Sequence, residues 1–241
     1  GWIASEWGLI PYPFYLGIAL AFLGLFFSVF LIRDTVHHVA VESAGHSGRK
    51  LKNVFWETTW KNRNLGSITQ AGLVNNLNDG MIWGLLPLIL SAAGFSISEI
   101  GLVAAIYPSV WGLGQLLTGK LADLLPKKGL LFWGMLLQGI CLLLMIPAKD
   151  FTSYVILCAG LGIGTALVYP TFLAGIAEYS APDQRAKSIG VFRLWRDLGY
   201  AIGALLTGIL ADFFGTGISL GAIAGLTLLS SLIIKLRMQT V

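Results

Sequence analysis

The chain has 241 residues, of which 56% are hydrophobic and only 12% are charged, and its formal net charge is +4 at pH 7. Soluble globular domains carry about 25% charged residues, so this composition excludes an ordinary soluble domain and favours a membrane protein. The eight tryptophans and thirty glycines agree with this, because Trp anchors membrane helices at interfaces and Gly is frequent within them.

Seven apolar segments are long enough to cross a bilayer, which takes about 20 helical residues. They are residues 10–32, 66–93, 99–121, 129–147, 154–177, 189–212 and 216–234. One connection, residues 33–64, is long and polar, and its Trp56 and Trp60 beside Lys52 and Lys61 predict a short interfacial helix. The expected fold is an all-α polytopic membrane helix bundle with seven transmembrane helices.

The lysines and arginines are distributed unevenly among the connections. The connections on the side of residues 33–64, together with the C-terminal tail, hold 13 of the 16 basic residues, whereas the other side holds only Lys149. The positive-inside rule then predicts a multi-pass protein of the cytoplasmic (inner) membrane, with the N-terminus of this chain outside and its C-terminus inside. The same distribution accounts for the basic charge without a nucleic-acid partner.

Two ten-residue stretches are nearly identical. Residues 114–123 read GQLLTGKLAD and residues 203–212 read GALLTGILAD, at the ends of the third and sixth spans. These spans run in opposite directions, so the similarity predicts an inverted 3+3 repeat in spans two to seven, as in many secondary transporters. The alternative is that both stretches are only small-residue packing faces.

Residues 119–128, GKLADLLPKK, resemble the G-x-L-A-D-R-x-G-R-K loop of the major facilitator superfamily. The matching positions are Gly119, Leu121, Ala122, Asp123, Lys127 and Lys128. Leu124 replaces the usual Arg and Pro126 the usual second Gly, which predicts a stiffer loop. Residues 178–190 are similar to the family's connection between spans ten and eleven.

The resemblance implies that this chain corresponds to spans six to twelve of a twelve-span transporter. Residues 1–33 would be span six, residues 34–64 the cytoplasmic central loop, and residues 65–241 the six-helix C-terminal half. The implied partners are a small-molecule substrate, membrane lipid and the N-terminal half of the transporter, in the same or a separate chain. In the family the substrate path lies between the two halves.

Residues 75–80, NNLNDG, place polar groups at the centre of the second span. A charged Asp there costs about 2.5–3.5 kcal/mol to insert. Asn75, Asn78 and Asp79 follow helical spacing on one face, which Trp83 extends. Either this face lines a cavity in which Asp79 binds a substrate group or a coupling proton, or the polar side chains only tie helices together.

Further candidates lie on the third and sixth spans. Tyr107, Trp111 and Gln115 follow helical spacing on the third span, so they either face the expected cavity or belong to ordinary aromatic packing. The sequence RLWRD contains Arg193 and Asp197, which are four residues apart and spaced to pair, and Arg196. By the resemblance, a cytoplasmic gate would be formed by Gly119, Asp123, Lys127, Lys128, Arg193, Arg196 and Asp197.

Two functions remain open at this point. The first is secondary active transport of a small solute by alternating access, coupled to protons. The second is a transporter-derived structural or assembly subunit of a larger membrane complex. No nucleophile triad, paired-carboxylate motif or phosphate loop suggests an enzyme or a cofactor, and His37, His38 and His46 lack partners at metal-ligand spacing.

Overall fold

The computed structural model describes residues 10–31 and 50–239, and all regular structure within these ranges is helical. The long helices are α1 (Tyr12–Leu31), α3 (Arg63–Ala92), α4 (Ile97–Leu124), α5 (Lys127–Met145), α6 (Phe151–Tyr179), α7 (Pro182–Phe214) and α8 (Thr216–Arg237). A short helix α2 (Val54–Trp56) continues as one π-helical stretch, Glu57–Lys61. The predictions for His37, His38 and His46 fall outside the described residues.

The helix boundaries follow local sequence signals. Asn62 accepts backbone hydrogen bonds at the start of α3, and Ser96 forms a capping box with Glu99 at the start of α4. Pro182 occupies the first turn of α7, so this helix begins seven residues before the predicted span. Gly215 separates α7 from α8 and has a φ of +86°. Glycine adopts this conformation readily, whereas a side chain disfavours it.

Among residues 10–31 and 50–239, six helices are long and apolar enough to cross a membrane, namely α1 and α4 to α8. The helix α3 is equally long but less apolar, and 20 of its 30 residues are buried among the other helices. A helix surrounded by protein needs no apolar surface for lipid, which explains why the predicted span that lacks a sufficiently apolar stretch lies in the interior. The chain is therefore a polytopic helix bundle, as predicted.

Packing inside the bundle repeats in the way that an inverted repeat requires. The most extensive contacts join α3 to α7 and α4 to α6. The repeat makes α3 equivalent to α6, α4 to α7 and α5 to α8. The contact of α3 with α7 is therefore equivalent to the contact of α6 with α4. The first helix of each repeat therefore packs against the middle helix of the other repeat.

The two similar decads occupy equivalent places in this arrangement. A Cβ atom on Gly114 would lie 2.8 Å from the Ala166 side chain on α6, and one on Gly203 would lie 2.4 Å from the Leu77 carbonyl on α3. Both glycines therefore permit close helix contact. The decads do serve as packing faces, but they do so at positions related by the repeat, so the inverted 3+3 repeat is confirmed.

Candidate functional site

The carboxyl group of Asp79 is the buried acidic group at the centre of α3. Asp79 is only 6% exposed, and the hydroxyl of Tyr107 on α4 donates a hydrogen bond to Asp79 Oδ1. The same hydroxyl lies 3.2 Å from Thr165 Oγ1 on α6. Asp79 therefore lies where α3, α4 and α6 meet, two of them from one repeat and one from the other.

A series of aromatic rings extends from this carboxyl group. The rings of Tyr107 and Trp111 stack with centroids 6.2 Å apart, and Trp111 contacts Tyr169 on α6 at 5.1 Å. The indole N–H of Trp111 is buried and has no hydrogen-bond partner among the described residues. This N–H is thus a buried donor without an acceptor in the described part of the chain.

Arg196 on α7 ends the series. Its Nη1 donates to the Tyr169 hydroxyl at 3.3 Å, and its guanidinium lies 5.8 Å from the centre of the Tyr169 ring. The structure thus links the two polar clusters that the sequence predicted separately, from Asp79 through Tyr107, Trp111 and Tyr169 to Arg196.

The predicted ion pair between Arg193 and Asp197 is wrong. Asp197 Oδ1 instead accepts from Arg196, at 2.8 Å from Nε and 2.7 Å from Nη2, while Arg193 is exposed. Arg196 directly precedes Asp197, and two of its guanidinium nitrogens approach the same carboxylate oxygen. Arg196 is therefore the residue that pairs with Asp197.

Asn78 does not share the surroundings of Asp79, contrary to the single polar face predicted for α3. Its Nδ2 donates to Gln138 Oε1 on α5 at 3.0 Å, and its Oδ1 accepts from Thr227 Oγ1 on α8 at 2.7 Å. Successive helical residues point about 100° apart, so Asn78 and Asp79 reach different neighbours. Asn78 is fully buried with both amide atoms bonded, which makes it a packing residue between α3, α5 and α8.

The other predicted site residues have different environments. Asn75 is fully buried, and neither of its amide atoms has a partner among the described residues. Trp83 is 45% exposed, and Gln115 on α4 is partly buried. None of these three touches Asp79 through a hydrogen bond that the described residues show.

The residues matching the family loop lie at the junction of α4, α5 and the end of α6. Lys127 forms an ion pair with Glu178, with Nζ 2.7 Å from Oε2. Asp123, Lys127, Lys128 and Glu178 line a cavity of about 230 Å³. Asp123 is exposed and Gly119 has open space around it, so both are accessible to a partner.

The segment 50–62 is bound to the first turns of α7. The side chain of Gln184 makes two hydrogen bonds with the backbone of Leu51, and Trp195 Nε1 donates to Thr59 Oγ1 at 3.0 Å. Trp195 directly precedes Arg196. The segment before α3 therefore contacts the same helix that carries Arg193, Arg196 and Asp197.

Sequence reasoning missed several of these contacts. Thr165, Tyr169, Gln138 and Trp195 were not predicted site residues, although Trp195 lies inside the RLWRD cluster. Helical spacing indicates which residues share a face of one helix. Which other helix packs against that face depends on the tertiary packing of the whole bundle. Only Trp195, adjacent to a predicted residue, carried a sequence signal.

The chain spans between about a third and half of the length of the curated relatives it matches. It is 27% identical over 148 residues to the inner membrane transport protein YnfM of Escherichia coli, covering 61% of this chain and 36% of that protein. It is 25% identical over 196 residues to an uncharacterized MFS-type transporter of Methanocaldococcus jannaschii, covering 80% and 47%. It is 25% identical over 136 residues to the quinolone resistance protein NorA of Staphylococcus aureus, covering 56% and 35%.

A family model matches most of the bundle as well. The Major Facilitator Superfamily model covers residues 68–240, which run from the first turns of α3 to beyond the end of α8. This range contains both decads, Asp79, Arg196 and the loop at residues 119–128. The chain is a multi-pass membrane protein that belongs to the Major Facilitator Superfamily, a family of transporters rather than enzymes.

Proposed function

We propose that this chain is the C-terminal half of a secondary active transporter, which moves a small solute by alternating access and is coupled to protons through Asp79. The observation that carries the proposal is the placement of this carboxyl group. It is buried at the centre of α3, and within the described part of the chain its one hydrogen-bond donor is the hydroxyl of Tyr107. Buried intramembrane carboxyl groups commonly mark ion or proton pathways.

The connection to Arg196 supports alternating access. Rings on α4 and α6 link Asp79 to a guanidinium on α7. A change in the charge or contacts of Asp79 can therefore alter packing among helices that belong to both repeats. Rocking of one packed unit against another around a fixed site is the general mechanism of such transporters.

The proposed orientation has the basic end of the bundle in the cytoplasm. The first residues of α3, α5 and α7 lie at the same end of the bundle as the last residues of α6 and α8. Lys50 pairs with Asp183 and Lys127 with Glu178. The backbone N–H of Gln239 donates to Asn64 Oδ1 at 2.8 Å. That end carries most of the basic residues, as the positive-inside rule requires. The surface of the partner half that faces this chain would then form the other wall of the solute path.

The domain organisation follows the same proposal. Residues 1–33 correspond to span six, residues 34–64 to the central loop and residues 65–241 to the six-helix half. Under this proposal the natural polypeptide, or the complex it forms with its other half, has a mass near twice the 25.9 kDa of this chain. Intact mass measurement in the native membrane distinguishes a single long polypeptide from two chains.

Transport by the full-length protein tests the role of Asp79. Membrane vesicles containing the protein are screened with a panel of labelled solutes for uptake that a protonophore abolishes. With the solute found, Asp79→Asn should remove proton-driven uptake, whereas Asp212→Asn, an exposed carboxylate at the end of α7, should retain it. Full pH-dependent uptake by Asp79→Asn would overturn the assignment.

The same experiment separates transport from a role as an assembly subunit. A structural subunit would give no protein-dependent uptake for any solute and would purify in fixed stoichiometry with a larger membrane complex. Protein-dependent uptake in reconstituted vesicles containing only this protein would establish transport.

A further inference from the structure

Two lysines at the basic end of the bundle face one cavity. The cavity has a volume of about 260 Å³ and is lined by Pro126, Lys128, Gly129, Phe132 and Lys235. The ammonium group of Lys235 lies 5.3 Å from the centre of the Phe132 ring. The site is formed by the start of α5 and the end of α8, two helices from different repeats.

Neither of these lysines forms an ion pair with a described residue. The neighbouring basic residues Lys127 and Arg237 do have partners. Lys127 pairs with Glu178, and the guanidinium of Arg237 lies 3.8 Å from the centre of the Trp60 ring. The carboxylate nearest in the chain to Lys128 is that of Asp123, which shares the separate 230 Å³ cavity with it. The lining of the 260 Å³ cavity therefore contains two lysines and no carboxylate, while Lys128 also borders the cavity that holds Asp123 and Glu178.

An apolar groove continues from this cavity on the other side of Gly129. It has a volume of about 200 Å³ and is lined by Leu125, Pro126, Gly129, Leu130, Trp133 and Leu167. The two cavities share Pro126 and Gly129. Apart from the chain neighbours of Gly129 and the backbone of its own helix, no atom lies within 4 Å of the position that a Cβ on Gly129 would take. The glycine therefore leaves an open passage between a basic cavity and an apolar one.

We propose that Lys128 and Lys235 bind the phosphate of an anionic phospholipid, whose acyl chain passes Gly129 and lies against Leu130 and Trp133. The chemistry of the site matches both parts of such a lipid. Two ammonium groups complement a phosphate, and the rings and leucine side chains complement a hydrocarbon chain. Lysines at the ends of membrane helices lie at the depth of the lipid headgroups, where anionic lipids attract them.

The occupant is a lipid rather than a free phosphate ion because the basic cavity opens into the apolar groove. A free ion would use only the lysines, whereas a phospholipid uses both cavities. The proposal does not depend on what the protein transports, so failure of the transport assay would leave it untouched.

Native mass spectrometry of the full-length protein tests the proposal. The protein is mixed with phosphatidylglycerol or with zwitterionic phosphatidylcholine, and the lipid-bound fraction is measured. The Lys128→Gln/Lys235→Gln variant should bind phosphatidylglycerol about tenfold more weakly, because each lysine near an anionic lipid contributes to its attraction. Binding of phosphatidylcholine should change little.

A matched control is the Lys120→Gln/Lys187→Gln variant, which loses the same charge from exposed positions at the same end of the bundle. It should retain phosphatidylglycerol, and an equal loss in both double variants would show attraction by net charge alone and overturn the site. Gly129→Leu retains both lysines but fills the passage, and undiminished lipid binding by this variant would overturn the acyl-chain path.

Thermal unfolding in detergent distinguishes the two sources of phosphate. Phosphatidylglycerol should raise the melting temperature of the protein with its natural sequence, and inorganic phosphate should not. Equal stabilisation by inorganic phosphate would replace the lipid with a simple anion site. The melting temperature of each variant without added lipid verifies that it is folded.

Discussion

The hydroxyl of Tyr107 on α4 donates a hydrogen bond to the carboxyl group of Asp79 on α3. Among the described residues, no other group donates a hydrogen bond to this carboxyl group. Tyr107 has no exposed surface, and Asp79 is only 6% exposed. The pair therefore couples the buried carboxyl group to the position of α4. A movement of α4 relative to α3 requires this bond to change.

Tyr107→Phe removes the hydroxyl while keeping the ring that stacks on Trp111. We expect the variant to lose about 1–3 kcal/mol of stability, because a buried polar group loses its partner, and to transport at a strongly reduced rate. Thermal unfolding and vesicle uptake measure the two effects. Thr165→Val, which removes only the 3.2 Å contact, is the control and should have the smaller effect on uptake.

The amide pair of Asn78 and Gln138 should stabilise the bundle independently of transport. Gln138→Leu leaves Asn78 Nδ2 without its acceptor and should cost about 0.6–2 kcal/mol, the range for hydrogen bonds between membrane helices. Adding Asn78→Leu should destabilise the protein by less than the sum of the two single changes, because neither residue then leaves the other unpaired. Strict additivity in thermal unfolding would contradict a direct interaction.

The second decad offers a matched pair of glycine substitutions. Gly203→Ala places a Cβ 2.4 Å from the Leu77 carbonyl, so α3 and α7 must separate, and we expect a loss of about 1–3 kcal/mol. Gly208→Ala, five residues later, meets nothing within 4 Å and should be neutral or slightly stabilising. If both variants melted at the same temperature, the close contact of α3 with α7 would be wrong.

The hydrogen bond between Trp195 and Thr59 should hold the segment 50–62 against α7. Trp195→Phe removes the indole donor, so trypsin should cleave more rapidly after Lys52 or Lys61. Trp133→Phe, in which the replaced ring is 62% exposed on α5, is the control and should leave the cleavage rate unchanged. Thr59→Val should reproduce the effect of Trp195→Phe.

The start of α6 should respond to acid through its cap. The hydroxyl and backbone N–H of Ser153 donate to the Asp150 carboxylate, and these hydrogen bonds hold its pKa below the usual value. A lowered pKa in the folded state means that the cap contributes stability at neutral pH and loses it as the pH falls through that pKa. Asp150→Ala should therefore melt at a lower temperature at pH 7, with the difference narrowing in acid, whereas Asp150→Asn, which can still cap, should lose less.

The sequence and the tertiary structure determine different features of this protein. Length of apolar segments, the distribution of basic residues and the two decads were sufficient to predict a helix bundle with an inverted repeat. Those features depend on whether a segment meets lipid or water and on the direction in which it crosses the membrane. Both are determined by the residues of the segment itself and of its flanks. Asp79 was likewise recognisable because a carboxyl group at the centre of an apolar span requires a protein partner.

The partners of each polar side chain were decided only by the bundle. Asn78 and Asp79 are adjacent in the chain, yet one bonds α5 and α8 and the other bonds α4. Asp197 pairs with Arg196 instead of Arg193, and Arg196 reaches Tyr169 on another helix. Helical periodicity gives the direction of a side chain relative to its own helix, whereas the group it meets depends on how six helices pack, and that information is spread over the whole chain.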